Sequence, residues 1–271
     1  MKALLSIITV SYGQATQVEK LLESLKKFPP SVPWELIVVD NNSPVGTPHG
    51  MSLQKEYAFL KTEKNAHLIA LSKNIGFGRG NEEGLKFSSG EIIAFINPDI
   101  ELQEKTLDTL LKEVDAGIVV PVLETKKGIL LENTWADFPT FWGLLRRRVS
   151  GKKNVVLPKG TKSIAWAQGS FLVMRRNLFE KIGGFDHRFF LFFEDTDLCR
   201  KVQNAGKKVM QIPSARAFHT EHRLSGGHIC TAIFKRTFWI HFSSAMKYFW
   251  KYRGNTGEII KRLNVKCKNK S

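Results

Sequence analysis

The side chains able to do chemistry gather in a few places along this sequence. Asp99 stands in Asn97-Pro98-Asp99, just past the apolar run from Glu91 to Ile96. A carboxylate there can hold a hard cation such as Mg²⁺ or Mn²⁺ against a diphosphate. The plainer alternative is an aspartate that shapes the turn or caps the next helix. Asp40 ends another apolar run and is followed by Asn41-Asn42. It could accept hydrogen bonds from a base or ribose, or serve as an ordinary turn residue. Glu194, Asp195 and Asp197 follow directly on five residues from Phe189 to Phe193, four of them phenylalanine. Acidic residues suit the positive end of a helix. Aromatic surroundings would also desolvate them, raising their pKa towards the range useful for a general base. His219, with His222 and His228 nearby, matches no dedicated metal motif, so as a ligand it would have to meet Asp99 in space. Gly76, Gly78 and Gly80 form neither a GxGxxG after the first strand nor a Walker A loop. They permit either close approach to a ligand or a plain tight turn.

These groups need elements to position them. The continuous apolar run Leu4 to Val10 predicts a strand buried on both faces. A helix follows, with Val18, Leu21, Leu22 and Leu25 on one stripe. Thr16 and Glu19 have capping-box spacing, and Pro29-Pro30 stops the helix. Further strands are expected at Trp34 to Val39, His67 to Leu71, Glu91 to Ile96, Gly117 to Val122 and Lys208 to Ile212. A short helix is expected after the glycine-rich turn, and others over Leu102 to Val114, Asn177 to Ile182 and Glu194 to Ala205, the last stopped by Gly206. Such alternation predicts an α/β fold with a parallel sheet between helices. Ser11, Asp40, Asn42, Asn97 and Asp99 then fall at the carboxyl ends of strands, the edge where open α/β sheets bind ligands. Residues 1–100 read as a nucleotide-binding half and 101–230 as an acceptor and catalytic half. The signal is weakest between 123 and 165. In the tail, 231–271, Phe234, Phe238, Phe242, Ala245 and Phe249 recur at helical spacing, with Lys235, Arg236, Lys247 and Lys251 on another face. That predicts a basic amphipathic helix.

Composition narrows the partners. The 271 residues are 42% hydrophobic, enough for a sizeable core, and 41 basic against 25 acidic residues leave a formal charge of +16. The excess favours a polyanionic partner: nucleic acid, an acidic membrane face or phosphorylated substrates. Cys199, Cys230 and Cys267 match neither a zinc site nor a disulfide framework and read as reduced thiols of a cytoplasmic protein. The opening run has no cleavage site and reads as a strand. No stretch of about 18 uninterrupted apolar residues predicts a spanning helix.

The order and spacing of these motifs resemble one family. Ser6-Ile7-Ile8-Thr9-Val10-Ser11-Tyr12, Val38-Val39-Asp40-Asn41-Asn42-Ser43 and Asn74-Ile75-Gly76-Phe77-Gly78-Arg79-Gly80-Asn81 resemble the first strand, second strand and Asn-x-Gly-Phe loop of inverting family 2 glycosyltransferases, in their rhamnosyltransferase-like branch. Phe95-Ile96-Asn97-Pro98-Asp99 resembles that family's variant of the Asp-x-Asp metal motif. The most specific match runs from Gly183-Gly184-Phe185-Asp186 through Phe193-Glu194-Asp195-Thr196-Asp197-Leu198-Cys199. Gly13 stands where the family usually has Asn, and Asn97 replaces the first acid of the metal motif. The resemblance, over roughly residues 3 to 253, implies a GT-A (Rossmann-like) fold, a mostly parallel central sheet flanked by helices. It implies hexosyl transfer from a dTDP- or UDP-linked sugar to a glycan or lipid-linked acceptor in polysaccharide synthesis. Thr9, Tyr12, Asp40 and Asn42 would border the nucleoside, and Asn74, Gly76, Asn81 and Asn97 would shape the donor pocket. Asp99 with His219 would hold Mg²⁺ or Mn²⁺, and Asp195, in its pair with Glu194, would be the general base.

Two uses of the tail helix stay open: resting on acidic lipid at the inner face of the cell membrane through residues 231–253, or packing on the catalytic domain or a second copy of the chain. A sugar nucleotidyltransferase would need a basic, glycine-rich triphosphate loop after the first strand, which Ser11-Tyr12-Gly13-Gln14 does not resemble. No nucleic-acid partner is expected, because no recognised binding module is visible and the strand-end carboxylates would repel phosphate without a metal.

Overall fold

The computed structural model describes residues 3–44, 56–131, 133–140, 142–143, 160, 162–219 and 236–253. Strand β1 (Leu5–Ser11) runs parallel to β2 (Trp34–Asp40) and β4 (Ile92–Ile96), and β2 continues the parallel set to β3 (Ala66–Ala70). Beyond β4 the sheet turns mixed. β10 (Phe171–Arg175) lies antiparallel between β4 and β6 (Gly117–Glu124), and β11 (Lys208–His219) lies parallel to β6. Two short strands, β5 (Ile100–Leu102) and β8 (Lys162–Ile164), pair antiparallel with β11. Strands β1, β2, β3, β4, β6 and β11 therefore share one direction. A separate ribbon pairs β7 (Thr134–Trp135) with β9 (Trp166–Ala167).

Every residue of β1 and β6 is buried, which is why both read as unbroken apolar runs. Helix α1 (Ala15–Lys27) covers one sheet face with the expected stripe, Val18, Leu21, Leu22 and Leu25. Full burial of a leucine such as Leu21 contributes roughly 1.5–3 kcal/mol. Helix α3 (Thr106–Leu111) joins it on that face. On the other face lie α2 (Phe77–Lys86), α4 (Arg176–Lys181) and α5 (Glu194–Asn204). Gly84 lets α2 settle on the sheet, since a Cβ there would stand 2.7 Å from a methyl of Ile8.

Four expectations need correction. The capping box at Thr16 and Glu19 does not form: the chain turns through Gly13 at φ 71° and is helical by Ala15, with Gln14 at the cap, so Thr16 already lies inside the first turn. The helix expected over Leu102 to Val114 shrinks to α3 and a 3₁₀ turn at Val114–Ala116, because Ile100–Leu102 is drawn into pairing with Ala217–His219. The strand expected to stop at Ile212 runs on to His219. Pro213 and Ser214 sit in a register shift between Ile212 and Arg216, where a missing N–H is tolerated.

The fourth concerns the tail helix, α6 (Arg236–Lys251). Ser244, Ala245 and Tyr248 face inwards, against Phe189 and Phe193. Phe242, expected on the apolar stripe, is 48% exposed. Lys251, expected on the polar face, turns in towards Asp186 and Asp197. A carboxylate buried without a partner is costly, and the lysine offsets that cost. Phe234, Lys235, His222, His228, Cys230 and Cys267 lie outside the described residues. Cys199 is buried in the core, and burial pushes its thiol upwards, so it stays protonated.

Candidate active site

Strand β1 delivers Thr9 and Ser11 to one face near its carboxyl end. Thr9 is fully buried, and its hydroxyl has no hydrogen-bond partner among the described residues. Ser11 accepts a hydrogen bond of 2.7 Å from the Tyr57 hydroxyl. Tyr12, one step further, is 51% exposed at the sheet edge. At the end of β2, Asp40 is buried and accepts from the backbone N–H of Ser43 at 3.1 Å, from the Ser43 hydroxyl and, at 3.4 Å, from Tyr57. Asn42 adopts φ 60° and leaves its side chain in solvent.

The organising amide of this corner is Asn41. It donates to Asn74 Oδ1 at 3.1 Å and to the Gly76 carbonyl at 3.2 Å, and accepts from the Ile75 N–H at 2.9 Å. Sequence reasoning passed over Asn41 and Tyr57. Asn41 looks like one more polar turn residue, and Tyr57 meets β1 and β2 only through long-range folding. Asn74 in turn accepts from the Gly76 N–H. Gly76 sits at φ 90°, and a Cβ there would lie 2.2 Å from the Phe190 carbonyl oxygen. Its lack of a side chain therefore admits another stretch of backbone, and the Phe77 N–H donates to that carbonyl at 2.9 Å. Asn81 is buried within α2 and donates to the Phe77 carbonyl.

Asp99 lies just past β4, before β5. Its Oδ2 is 3.1 Å from His219 Nε2, and its Oδ1 is buried with no partner among the described residues. The antiparallel pairing of Ile100 with His219 creates this contact across the sheet. Asn97 donates its backbone N–H to the Ser170 carbonyl at 2.8 Å.

The acidic cluster opens α5. Its entry is strained: Phe192 and Phe193 both adopt left-handed backbone, at φ 68° and 67°, costing on the order of 1–3 kcal/mol each. Asp195 is 8% exposed and accepts from the Gly169 N–H at 2.9 Å, the Thr196 N–H at 2.6 Å and the Thr196 hydroxyl at 3.1 Å. Glu194 is buried with one oxygen unpartnered among the described residues. Burial, with the Asp195 charge beside it, drives the Glu194 carboxyl well above its ordinary range. Burial raises Asp195 too, but its three donors pull back towards the ionised form. Burial therefore pushes both carboxyls towards the protonated form, Glu194 more strongly, while the donors to Asp195 favour its ionised state. Asp197 faces the other way and is bound by Lys251 and Tyr252 of the tail.

Two neighbouring residues join the separate groups. Gly169 holds Asp195 through its N–H, and Ser170 holds Asn97, two residues from Asp99, through its carbonyl. The metal-type pair and the candidate base are thus anchored to one dipeptide at the start of β10. The corner organised by Asn41 is tied to the segment before α5 by the contact between Gly76, Phe77 and Phe190. The arrangement has a buried carboxylate pair that can take a proton, a carboxylate–imidazole pair that can hold a hard cation, and a polar strand-end corner.

Comparison with known proteins agrees. Over 265 residues the chain is 26% identical to the rhamnosyltransferase WbbL of Escherichia coli, covering 91% of this chain and 93% of that one. Over 253 residues it is 24% identical to the N-acetylglucosaminyl-diphospho-decaprenol L-rhamnosyltransferase of Mycobacterium tuberculosis, covering 83% and 79%. Among solved structures it superposes on GalNAc-T7, in complex with UDP, GalNAc and Mn²⁺, with a TM-score of 0.62 at 15% identity, over 82% of this chain and 44% of that one. With the mannosyltransferase PcManGT of Pyrobaculum calidifontis, in complex with GDP-Man and Mn²⁺, the TM-score is 0.57 at 19% identity, over 83% and 59%. The chain spans less than two thirds of either solved protein, and the likeness establishes the GT-A fold. The model of the family described as glycosyl transferase family 2 matches residues 6–183, from β1 to the first glycine of the pair that precedes the acidic cluster, and on that match this chain belongs to glycosyl transferase family 2 and is a glycosyltransferase.

Proposed function

We propose that this enzyme is a metal-dependent, inverting transferase that moves a sugar from a nucleotide diphosphate donor to a hydroxyl of a glycan or lipid-linked acceptor, in the synthesis of a cell-surface polysaccharide. The observation that carries the reading is that Gly169 holds Asp195 while the adjacent Ser170 holds the backbone of Asn97, two residues before Asp99. A single displacement needs both groups near one anomeric carbon. The acceptor oxygen forms its bond to that carbon as the bond to the donor diphosphate breaks, and Asp195 takes the hydroxyl proton. No protein nucleophile is needed, so the anomeric centre inverts.

Asp99 and His219 fit a divalent cation. A buried carboxylate oxygen without a partner among the described residues stands beside an imidazole nitrogen. Among the described residues no group of three or more ligating side chains gathers, so donor phosphates and water would complete the shell, as Mg²⁺ and Mn²⁺ prefer. When bound, the cation offsets charge that builds on the departing diphosphate. Asp40, Asn42, Thr9 and Tyr12 would border the nucleoside, with Asn74, Gly76, Asn81 and Asn97 shaping the pocket. The relatives named as rhamnosyltransferases favour dTDP-rhamnose, and the UDP-bound neighbour supports a UDP-sugar as the alternative. A panel of dTDP-rhamnose, UDP-N-acetylglucosamine, UDP-glucose and GDP-mannose, with Mn²⁺ and with lipid-linked and free sugar acceptors, tests this. Release of nucleoside diphosphate from one donor is expected. Silence across the panel would count against transfer.

A second role rests on the outward face of α6. Trp239, Phe242, Met246 and Trp250 recur there at helical spacing, all exposed, and the Arg253 guanidinium lies 3.7 Å from the Trp250 ring centroid. No helix among the described residues is long and apolar enough to cross a membrane. An aromatic and basic face suits the interface of an acidic bilayer instead. The protein is expected to float with phosphatidylglycerol vesicles at low salt, and Trp239→Ser with Trp250→Ser to reduce recovery several-fold. Equal recovery of wild type and double variant would end the membrane reading.

A further inference from the structure

The Asp197 carboxylate is completely buried, two residues after Asp195 and on the far side of α5. Its Oδ1 accepts from Lys251 Nζ at 2.5 Å and from the Tyr252 hydroxyl at 2.7 Å, both from the end of the tail helix. Lys201 Nζ lies 3.6 Å from Oδ2. Lys251 reaches Asp186 as well, at 2.7 Å, and Asp186 forks onto Arg188. A buried carboxylate is tolerated only where such partners hold it, so removing one strains the first turn of α5 directly.

The tail helix also grips the segment that leads into α5. Ser244 donates to the Leu191 carbonyl at 2.8 Å and Lys247 to the Arg188 carbonyl at 2.9 Å. The Phe193 ring packs on Tyr248, with centroids 5.2 Å apart. The same segment also meets the loop from Asn74 to Asn81, the proposed donor loop, where the Phe190 carbonyl fills the space left by Gly76 and accepts from the Phe77 N–H. The segment is therefore clamped between α6 and the donor loop. Its two left-handed phenylalanines adopt a backbone that L-residues keep only where surrounding contacts hold them in place.

We infer that Lys251 and Tyr252 are positioning residues for the transfer: through Asp197 and the clamped segment before Glu194, they set the Asp195 carboxylate relative to the donor loop. On this inference the tail helix is part of the catalytic unit, and its docked face is separate from the face proposed to meet lipid. The inference rests on Asp195 being the base, and it adds that this base is held in place by the tail helix more than fifty residues further along the chain.

Tyr252→Phe removes one hydrogen bond and keeps the ion pair. Lys251→Met leaves Asp197 without its principal cation, and Lys251→Arg restores the charge. Each variant is compared with wild type in three measurements. The first is the affinity for UDP and for dTDP with Mn²⁺, which also counts folded sites. The second is kcat per folded site on the donor that the wild type turns over. The third is hydrogen exchange of peptides covering residues 190–198. Tyr252→Phe and Lys251→Met are expected to keep nucleotide affinity within about twofold and lower kcat about 10- to 100-fold, as small displacements of reacting groups do. Exchange across 190–198 should rise, and Lys251→Arg should recover most of the rate. A purely structural tether would reduce the number of folded sites and leave kcat per site alone. Unchanged kcat per site, or unchanged exchange at 190–198 in both variants, would overturn the inference. Should Lys251→Met not fold, Tyr252→Phe decides. Asp195→Asn in the same assay separates the two ideas: if it transfers normally, the base assignment has failed whatever Lys251 does. If it alone loses transfer, the base stands and the positioning role falls.

Discussion

Asp195→Asn is expected to bind the donor as wild type does and to transfer sugar roughly 10²- to 10⁴-fold more slowly, the usual contribution of a positioned general base. The amide matches the carboxylate in shape and its oxygen can still accept from the Gly169 N–H, at the loss of the bond from the Thr196 N–H to the other oxygen, so folded sites are counted by nucleotide binding alongside the rate. What it loses is the anionic oxygen. The pair it belongs to is buried, and burial raises both carboxyls above their ordinary range. The sign for catalysis follows. The base must be ionised to act, so kcat should rise with pH through the raised value, and the acid limb should lie above pH 4–5, where an exposed carboxylate would place it. Glu194→Gln removes a partner that is already protonated. It should preserve most of the rate and leave that limb close to its wild-type position, since the Asp195 charge raises Glu194 and Glu194 therefore ionises after it. Stopped-flow or coupled measurement of kcat against pH for the three proteins checks both statements. An acid limb that moves downwards in Glu194→Gln would mean instead that a Glu194 charge opposes ionisation of Asp195.

Asp99→Ala should weaken Mn²⁺-dependent binding of the donor nucleotide by at least about tenfold, or 1.4 kcal/mol, and leave the weak metal-free binding in EDTA unchanged. Calorimetric titration of UDP and dTDP with and without Mn²⁺ reads this without any turnover. His219→Ala should have a smaller effect in the same direction, because Asp99 supplies the charge and both of its oxygens remain. Equal loss with and without metal would show instead that Asp99 supports the fold of the β4–β5 turn. Asn97 is neutral and holds Ser170 through its backbone, so Asn97→Ala should preserve metal dependence.

Much of this architecture is legible in the residues alone. The unbroken apolar runs of β1, β2, β4 and β6 are legible because each strand is buried on both faces, and the α1 stripe because one helix face meets one sheet face. Local failures have local causes. Thr16 lost its capping role to an earlier turn through Gly13, and Leu102 left its expected helix for a strand partner more than a hundred residues away. The chemical inventory was also legible: Asp40, Asp99, Asp195 and His219 stand out by type and by position after apolar runs.

Which of them act together was a different matter. Asp99 meets His219 only because β5 and β11 pair in one register, and a shift of one residue would turn the histidine to the other face. Asn41 outranks Asn42 because of where the turn points each amide. Gly76 admits the Phe190 backbone, and Lys251 leaves the surface for Asp197, through contacts that no window of neighbouring residues contains. The sequence by itself determined the elements, the strand-end carboxylates and the family, because periodicity and residue type are local properties. Only the tertiary structure decided which carboxylates are buried together, that Asp99 stands beside His219 and what holds the tail helix, because burial, register and long-range pairing exist only once the chain has closed on itself.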